Sequence, residues 1–328
     1  MNKRKYKNYL WGYFFVAPTI IGLLILNIYP IFKTLLLSFS TGTGFEEYVF
    51  SGLNNFARVL KDREVWIGLR NTLIFSAVSV PGGIFISLLL AWLMSREIRG
   101  RSVYRVIYFT PMVAAPAAVT MVWAWLYNSE FGFLNYVIKS LGGATHSWLH
   151  DPKYALMSVI IIAIWGGLGQ QIIILIVAIT NVPRVYYEAA EIDGAGGFVK
   201  LFKITVPLIS PSVFFLTITG FIGSLTQFDL IYMLYNANTS KAMDSVRTIM
   251  YQYYRQAFVV QDKPYASTIS IVALCLILIF HRASVCGAEE NRTLRIGGVV
   301  KWKQTSSKKH VVTHLLLLLG SIVMLFPF

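Results

Sequence analysis

Residues 155–180 read ALMSVIIIAIWGGLGQQIIILIVAIT and contain no Asp, Glu, Lys or Arg. A helix needs about 20 apolar residues to cross about 30 Å of hydrocarbon, so this stretch is long enough to span a membrane. Backbone polar groups in lipid must be satisfied internally, which leaves helices or the strands of a closed barrel. Barrel strands are about ten residues long and alternate strictly, unlike this run. The stretch therefore predicts a transmembrane α-helix.

Further apolar runs free of these four residue types surround this one. With 155–180 included, the six runs are 11–32, 72–94, 106–129, 154–183, 204–228 and 264–280. Within the fifth run, we expect the span itself near residues 211–235. The chain is 56 % hydrophobic and 13 % charged, whereas soluble chains have about 45–50 % apolar and about 25 % charged residues. The predicted fold class is an all-α polytopic membrane protein with a six-helix transmembrane bundle.

The positions of the basic residues predict the orientation. With the N-terminus inside, the inner segments are far more basic than the outer loops; the inner Lys and Arg before the fifth run are Lys3, Arg4, Lys5, Lys7, Arg96, Arg99, Arg101, Arg105, Arg184, Lys200 and Lys203. This follows the positive-inside rule and predicts a cytoplasmic N-terminus. It also accounts for the net charge of +14. No basic cluster lies on a soluble domain, so nucleic acid is not an expected partner.

The predicted spans contain almost none of the ionisable residues with which an ion-driven carrier powers its own transport. Ion-driven carriers place ionisable residues inside the bilayer, and Asp229 is the only candidate here; its alternative interpretation is a polar residue in the outer half of a helix. The sequence contains no P-loop of the GxxxxGK[ST] type and no HExxH, CxxC or GxSxG motif. We expect no catalytic residue, metal or cofactor in this chain. If the protein is a pump, another polypeptide supplies the energy.

The segment 183–207 reads PRVYYEAAEIDGAGGFVKLFKITVP. Pro183 suits the first turn of a helix, and Gly194 suits its end, because glycine readily adopts a left-handed cap. Helical spacing continues to Pro207; the apolar stripes are Val182, Val185, Tyr186 and Ala189, then Phe198, Leu201, Phe202 and Thr205. The pattern predicts two short helices joined by a glycine. The alternative is an interfacial helix that rests on lipid. The acidic residues of the segment disfavour it, because the inner leaflet is negatively charged and attracts basic segments.

This segment resembles the EAA motif of permease subunits of bacterial ATP-binding-cassette (ABC) importers. The motif is E-A-A, three residues, G, nine residues, I, one residue and L-P; the matching positions are Glu188, Ala189, Ala190, Gly194, Ile204 and Pro207. Val206 stands where the family prefers Leu. The surrounding sequence is similar to the carbohydrate-uptake branch, which includes permeases for maltose-type oligosaccharides and glycerol phosphate. The resemblance extends over about residues 1–282.

The resemblance implies a mechanism and a set of partners. The motif would form a cytoplasmic coupling helix in a groove of an ABC ATPase dimer, which binds the ATP. Glu188, Ala189, Ala190 and Gly194 would shape that joint, and Ile204 and Pro207 would anchor it to the fifth span. A second permease subunit would complete the path, and an extracytoplasmic solute-binding protein would deliver a sugar-like substrate.

We expect the substrate path near the bilayer midplane, where interrupted helices expose backbone groups. The polar or glycine-rich stretches within spans are 81–83, 166–171 and 220–227. The candidate substrate-contacting residues are Gln170, Gln171, Ser224, Thr226, Gln227 and Asp229. The alternative role of these side chains is helix–helix packing and interhelical hydrogen bonding.

The C-terminal residues 283–328 form an anomalous tail. Residues 281–310 show no sustained period, and residues 308–328 resemble the start of a second permease, with a marginal seventh apolar stretch at 311–328. One hypothesis is a reading-frame change that joins two permease genes, and the alternative is a genuine seventh helix. For the whole chain, the alternatives to an importer subunit are a stand-alone secondary carrier or facilitator and a membrane scaffold or sensor.

Overall fold

The computed structural model describes residues 3–42, 48–96, 100–235 and 241–293, and these are mostly helical. The α-helices in chain order are α1 (Lys3–Leu23), α2 (Tyr29–Ser38), α3 (Asn54–Lys61), α4 (Arg63–Met94), α5 (Arg101–Val113), α6 (Pro116–Leu126), α7 (Phe133–Ser140), α8 (Ala155–Thr180), α9 (Arg184–Ile192), α10 (Gly197–Lys200), α11 (Val206–Leu208), α12 (Ser210–Leu225), α13 (Asp229–Leu234), α14 (Met243–Val246), α15 (Ile249–Tyr254) and α16 (Lys263–Thr293). The π-helical segments are Leu24–Ile28, Leu201–Thr205 and Arg255–Val259. Two short strands, β1 (Ser40–Thr41) and β2 (Val49–Phe50), pair antiparallel with Ser40 opposite Phe50.

Several helices are long and apolar enough to cross a membrane, which confirms the predicted class. They are Trp11–Ser38, Arg63–Met94 and Ala155–Thr180. Two helix pairs have span-like composition but are bent, by 99° between α5 and α6 and by 75° between Gly197–Leu208 and α12. Lys263–Ile279 is a shorter apolar helix. Within the described residues, three to five spans therefore meet the length criterion, and the predicted count of six stays a prediction.

The bends follow from local sequence. Ala114 and Ala115 are extended, and Pro116 opens α6, where its fixed φ and missing N–H are tolerated. Ile209 interrupts the second pair immediately before α12, which has a proline in its first turn. The predicted span at 211–235 is split at residues 226–228 into α12 and α13. The seventh apolar stretch, 311–328, lies outside the described residues.

The chain divides into two compact units, the first of which comprises residues 1–65 and 252–276. Its polar contacts join sequence-distant elements. The Asn55 amide donates to the carbonyl oxygens of Ser38 (3.3 Å) and Ser40 (2.6 Å), and the Thr268 hydroxyl also donates to Ser38 (3.1 Å). Arg58 pairs with Asp262 at 2.6 Å. These contacts fix the start of α16 against α3 and the end of α2.

The second unit comprises residues 66–251 and 277–328, and its core is built around α8. Helices α5, α12, α13 and α14 all pack on α8. Helix α8 comes close to α5 at Gly169, where a Cβ atom would lie 2.6 Å from the Tyr108 carbonyl oxygen. Only glycine fits there, because a side chain would push the two backbones apart.

The expectation of interrupted helices is wrong for two of the three glycine-rich stretches. Helix α4 continues through Pro81, and α8 continues through 166–171 without a break. The glycines serve packing instead, since a Cβ at Gly82 would lie 3.2 Å from the Ile164 side chain and one at Gly83 would lie 3.2 Å from Gln171. In the third stretch the chain leaves helix only at 226–228, between α12 and α13.

Candidate functional site

The first half of the 183–207 segment is helix α9, closed by a glycine. Pro183 is the extended residue before the helix, and Gly194 has φ +74°. The Gly194 N–H donates to the Glu191 carbonyl (3.0 Å), and the Ala195 N–H donates to the Ala190 carbonyl (2.8 Å). This pair of bonds is a Schellman motif, in which the left-handed residue reverses the chain. The predicted helix end at Gly194 is where the helix terminates.

The second half returns along α9 and is tied to it. It consists of α10, the π-helical segment Leu201–Thr205 and α11, so the predicted second helix is only partly α-helical. The Tyr187 and Thr205 hydroxyls lie 2.9 Å apart, and Lys200 forms an ion pair with Glu191 at 2.7 Å. Thr205 also donates to the Lys200 carbonyl at 3.1 Å. The two halves therefore form one braced hairpin of helices.

The motif residues divide between the two sides of this hairpin. Glu188 and Ala189 are exposed, whereas Ala190 and Gly194 are buried. Ile204 and Pro207 are half-buried where the hairpin leads into α12. Since Ala190 packs against the protein itself, only Ala189 of the two alanines presents a small surface to a partner.

An apolar face of α9 points away from the protein. The Ile192 side chain is 89 % exposed and that of Val185 is 62 % exposed, with Tyr186 and Ala189 exposed on the same face. Val182, which the sequence pattern placed in the same stripe, is buried ahead of the helix. An apolar face rimmed by carboxylates, here those of Glu188 and Asp193, is typical of a helix that docks in another protein's groove.

A cavity of about 670 Å³ lies on the other side of the hairpin. Its lining residues are Trp92, Ser95, Arg96, Arg101, Ile179, Thr180, Val182, Arg184, Tyr187, Glu191, Gly194, Ala195, Gly197 and Lys200. The Arg96 guanidinium stacks on the Trp92 ring at 4.1 Å, and the Trp92 ring lies 5.4 Å from that of Phe198. Burial lowers the pKa of the Arg96 guanidinium. The end of α4 is thus the platform against which the hairpin packs.

The contacts that brace the hairpin carry no signal in the sequence, although Thr205 itself belongs to the second predicted stripe. Tyr187 and Thr205 have no fixed motif spacing, and Trp92 comes from a distant helix. Their roles arise only when the segment folds back on itself and on α4.

The candidate substrate-path residues have mixed environments. The side-chain amide oxygen Oε1 of Gln171 accepts from the Ser87 hydroxyl (3.0 Å), and the Ser224 hydroxyl donates to the Ser76 hydroxyl (2.8 Å). The Thr226 hydroxyl donates to the Ile222 carbonyl of its own helix (2.9 Å), and the Gln227 carbonyl accepts from Thr248 (2.9 Å). Gln170 and Asp229 are exposed. The contacts of Gln171 and Ser224 are of the interhelical type that was the alternative interpretation.

The sequence of this chain is similar to those of known transport proteins. Residues 83–284 match the family described as "Binding-protein-dependent transport system inner membrane component". The chain is 31 % identical over 284 residues to the lactose transport system permease protein of Rhizobium radiobacter, covering 86 % of this chain and 95 % of that one. It is 31 % identical over 280 residues to the trehalose/maltose transport system permease protein of Thermococcus litoralis, covering 85 % and 94 %.

A solved structure shares the fold. A chain in the crystal structure of a bacterial alginate ABC transporter, in complex with an alginate pentasaccharide-bound periplasmic protein, matches with a TM-score of 0.77. The sequence identity is 22 %, and the match covers 90 % of this chain and 99 % of that one.

Proposed function

Because the chain belongs to the family of inner membrane components of binding-protein-dependent transport systems, we propose that it forms half of the translocation path of an ATP-driven importer for a sugar or related solute. Family members are non-catalytic permease subunits, so the chain is not an enzyme. The sugar assignment draws on the lactose and trehalose/maltose relatives.

The observation that carries the proposal is the exposed apolar face of α9. Val185, Ala189 and Ile192 follow i, i+4, i+7 spacing and leave an exposed apolar stripe on a short helix. Fully burying an Ile or Val side chain contributes about 1.5–3 kcal/mol, so this face favours a partner. We propose that the partner is a cytoplasmic ABC ATPase dimer, which binds the ATP, and that Glu188 and Ala189 contact its groove.

The bracing of the hairpin suits it to transmit movement. Its two halves are joined by the Glu191–Lys200 ion pair and the Tyr187–Thr205 hydrogen bond. A displacement of α9 therefore moves residues 197–208 with it, and the half-buried Ile204 and Pro207 pass the displacement to α12. In this proposal Ala190 and Gly194 maintain the hairpin, and do not contact the partner.

The remaining partners follow from the same assignment. We propose a second permease subunit that completes the path and an extracytoplasmic solute-binding protein that delivers the substrate. Six spans with a cytoplasmic N-terminus in a bacterial cytoplasmic membrane are the proposed topology, supported by the inner-membrane family and the basic residues of the 183–207 segment. The proposed permease domain is 1–282, followed by the tail 283–328; α16 (Lys263–Thr293) crosses this boundary.

For the substrate path we propose a role for Gln170, Thr226, Gln227 and Asp229, whose side chains are exposed or half-buried. Gln171 and Ser224 already hydrogen-bond to serines of α4, so for these two we propose the alternative role, interhelical hydrogen bonding.

A matched pair of aspartate substitutions tests the coupling proposal. Ile192→Asp places a charge on the exposed face of α9, and Leu141→Asp makes the same change at a side chain that is 82 % exposed elsewhere. Tagged wild-type chain and Leu141→Asp should both recover a P-loop ATPase and a second permease from membranes. Ile192→Asp should insert normally but lose the ATPase.

Two results would overturn the proposal. One is a wild-type chain that captures no nucleotide-hydrolysing partner. The other is full solute transport by this chain alone in liposomes without ATP, which would establish a stand-alone carrier.

A further inference from the structure

The cavity behind the 183–207 hairpin is large enough for a small molecule. Its volume of about 670 Å³ falls within the range of about 300–1,000 Å³ found for ligand pockets. The ends of α4 and α8 and the start of α5 form one wall, and α9 with residues 194–200 forms the other. A ligand here would touch both the hairpin and the bundle that it packs on.

The lining is strongly basic. It contains Arg96, Arg101, Arg184 and Lys200, against one acidic residue, Glu191. Lys200 and Glu191 neutralise each other through their 2.7 Å ion pair. Within the parts of the chain that the structure describes, no ion pair involves any of the three arginines. Among the described residues that line it, the cavity therefore carries a net positive charge equal to that of three guanidinium groups.

Arg96 is the most constrained of these groups. Its guanidinium is half-buried and stacked on Trp92, and burial lowers its pKa. A partly desolvated cation without a counter-charge is costly, so an anion placed beside it would recover that free energy. Arg101 and Arg184 are exposed at the surface and can reach into the same space from opposite walls.

We propose that this cavity binds a phosphate-bearing anion, which bridges Arg96 and Arg101 on the bundle side to Arg184 on α9. Guanidinium groups bind phosphate oxygens bidentately, and a doubly charged phosphate satisfies several of them at once, whereas a single carboxylate does not. The phosphate belongs either to a lipid headgroup or to a free phosphorylated compound. Bound there, it holds the hairpin against the ends of α4 and α8.

The binding step is independent of the proposed function, because it involves residues of this chain alone. Only the consequence of anion binding rests on the proposed function: a held hairpin would move less readily with the ATPase partner. Loss of the ATPase partner and loss of anion binding are therefore separate results.

The test uses the full-length chain in two settings. In neutral detergent, inorganic phosphate and pyrophosphate are titrated by calorimetry, with sodium chloride at matched ionic strength as the reference. In nanodiscs, phosphatidylcholine alone is compared with phosphatidylcholine containing phosphatidylglycerol. In both settings, amide hydrogen exchange of residues 184–200 reports whether the hairpin is held.

The variants are Arg96→Gln and Arg101→Gln, with Lys203→Gln as the control, because Lys203 belongs to the same segment but does not line the cavity. Loss of a charge-assisted hydrogen bond costs about 1.5–3 kcal/mol, which corresponds to at least about 10-fold weaker binding. We expect that loss in both cavity variants and wild-type behaviour in Lys203→Gln. If Arg96→Gln destabilises the chain, Arg101→Gln still tests anion binding, because Arg101 is exposed and its substitution should leave the fold intact.

The two arms distinguish the source of the phosphate. Slowed exchange with soluble phosphate or pyrophosphate supports a free ligand, and slowed exchange only with phosphatidylglycerol supports a lipid headgroup. The proposal is overturned if neither probe slows exchange in the wild-type chain, or if the effect persists unchanged in Arg101→Gln.

Discussion

Gly194 carries the main backbone constraint of the 183–207 segment, since its φ of +74° lies in the left-handed region. This conformation costs a residue with a Cβ atom roughly 1–2 kcal/mol, and a β-branched residue is a particularly poor fit. Asn tolerates it better, because its side chain can hydrogen-bond locally.

We therefore expect Gly194→Val to lower solute uptake and ATPase capture by roughly 5–30-fold while membrane insertion persists. Gly194→Asn should retain most of both activities. Uptake assays and pull-downs at matched expression check this. Equal activity of the two variants would show that the left-handed cap is not required.

Ser76 and Ser224 present a buried hydroxyl pair, 2.8 Å apart, between α4 and α12. Interhelical hydrogen bonds in membrane proteins contribute on average about 0.6 kcal/mol. A double-mutant cycle with Ser76→Ala and Ser224→Ala should give a coupling free energy of about that size in unfolding measurements. The apparent affinity for the solute should not change. A large drop in affinity for Ser224→Ala alone would instead assign that hydroxyl to the substrate path.

Among the elements, α5 and α8 make a contact that depends on one missing side chain. A Cβ at Gly169 would lie 2.6 Å from the Tyr108 carbonyl oxygen, whereas a Cβ at Gly166 of the same helix would meet nothing within 4 Å. The two glycines therefore form a matched pair for substitution.

We expect Gly169→Ala to destabilise the protein by about 1–3 kcal/mol, the usual cost of overpacking. Gly166→Ala should be neutral or stabilise by up to about 1 kcal/mol, because alanine favours helix over glycine. Thermal unfolding in detergent measures both. Equal stability of the two variants would contradict the close approach of α5 to α8.

Across the whole molecule, the placement of Lys and Arg predicts which loops face the cytoplasm. After replacement of Cys275 and Cys286 by serine, a cysteine is introduced at Ile192 or at Leu141; both side chains are more than four-fifths exposed. An impermeant maleimide should label the Leu141→Cys variant in intact cells, and the Ile192→Cys variant only after lysis. The reverse pattern would invert the topology and remove the basis for a cytoplasmic partner of α9.

The sequence alone determined the features that depend on local chemistry. Residues 155–180 form a single helix because an uncharged, apolar run must satisfy its own backbone in lipid. The end of α9 at Gly194 was equally predictable, since the left-handed cap is a property of one residue and its neighbours.

Only the tertiary structure decided how the helices pack and which residues of different helices are in contact. Proline and glycine at 81–83 suggested a broken helix, yet α4 continues, and its glycines give room to the side chains of Ile164 and Gln171. The Tyr187–Thr205 bond and the arginine-lined cavity likewise join residues with no fixed spacing. Desolvation and backbone preference act along the chain and can be read from it, whereas packing and hydrogen bonding depend on which distant groups meet in space.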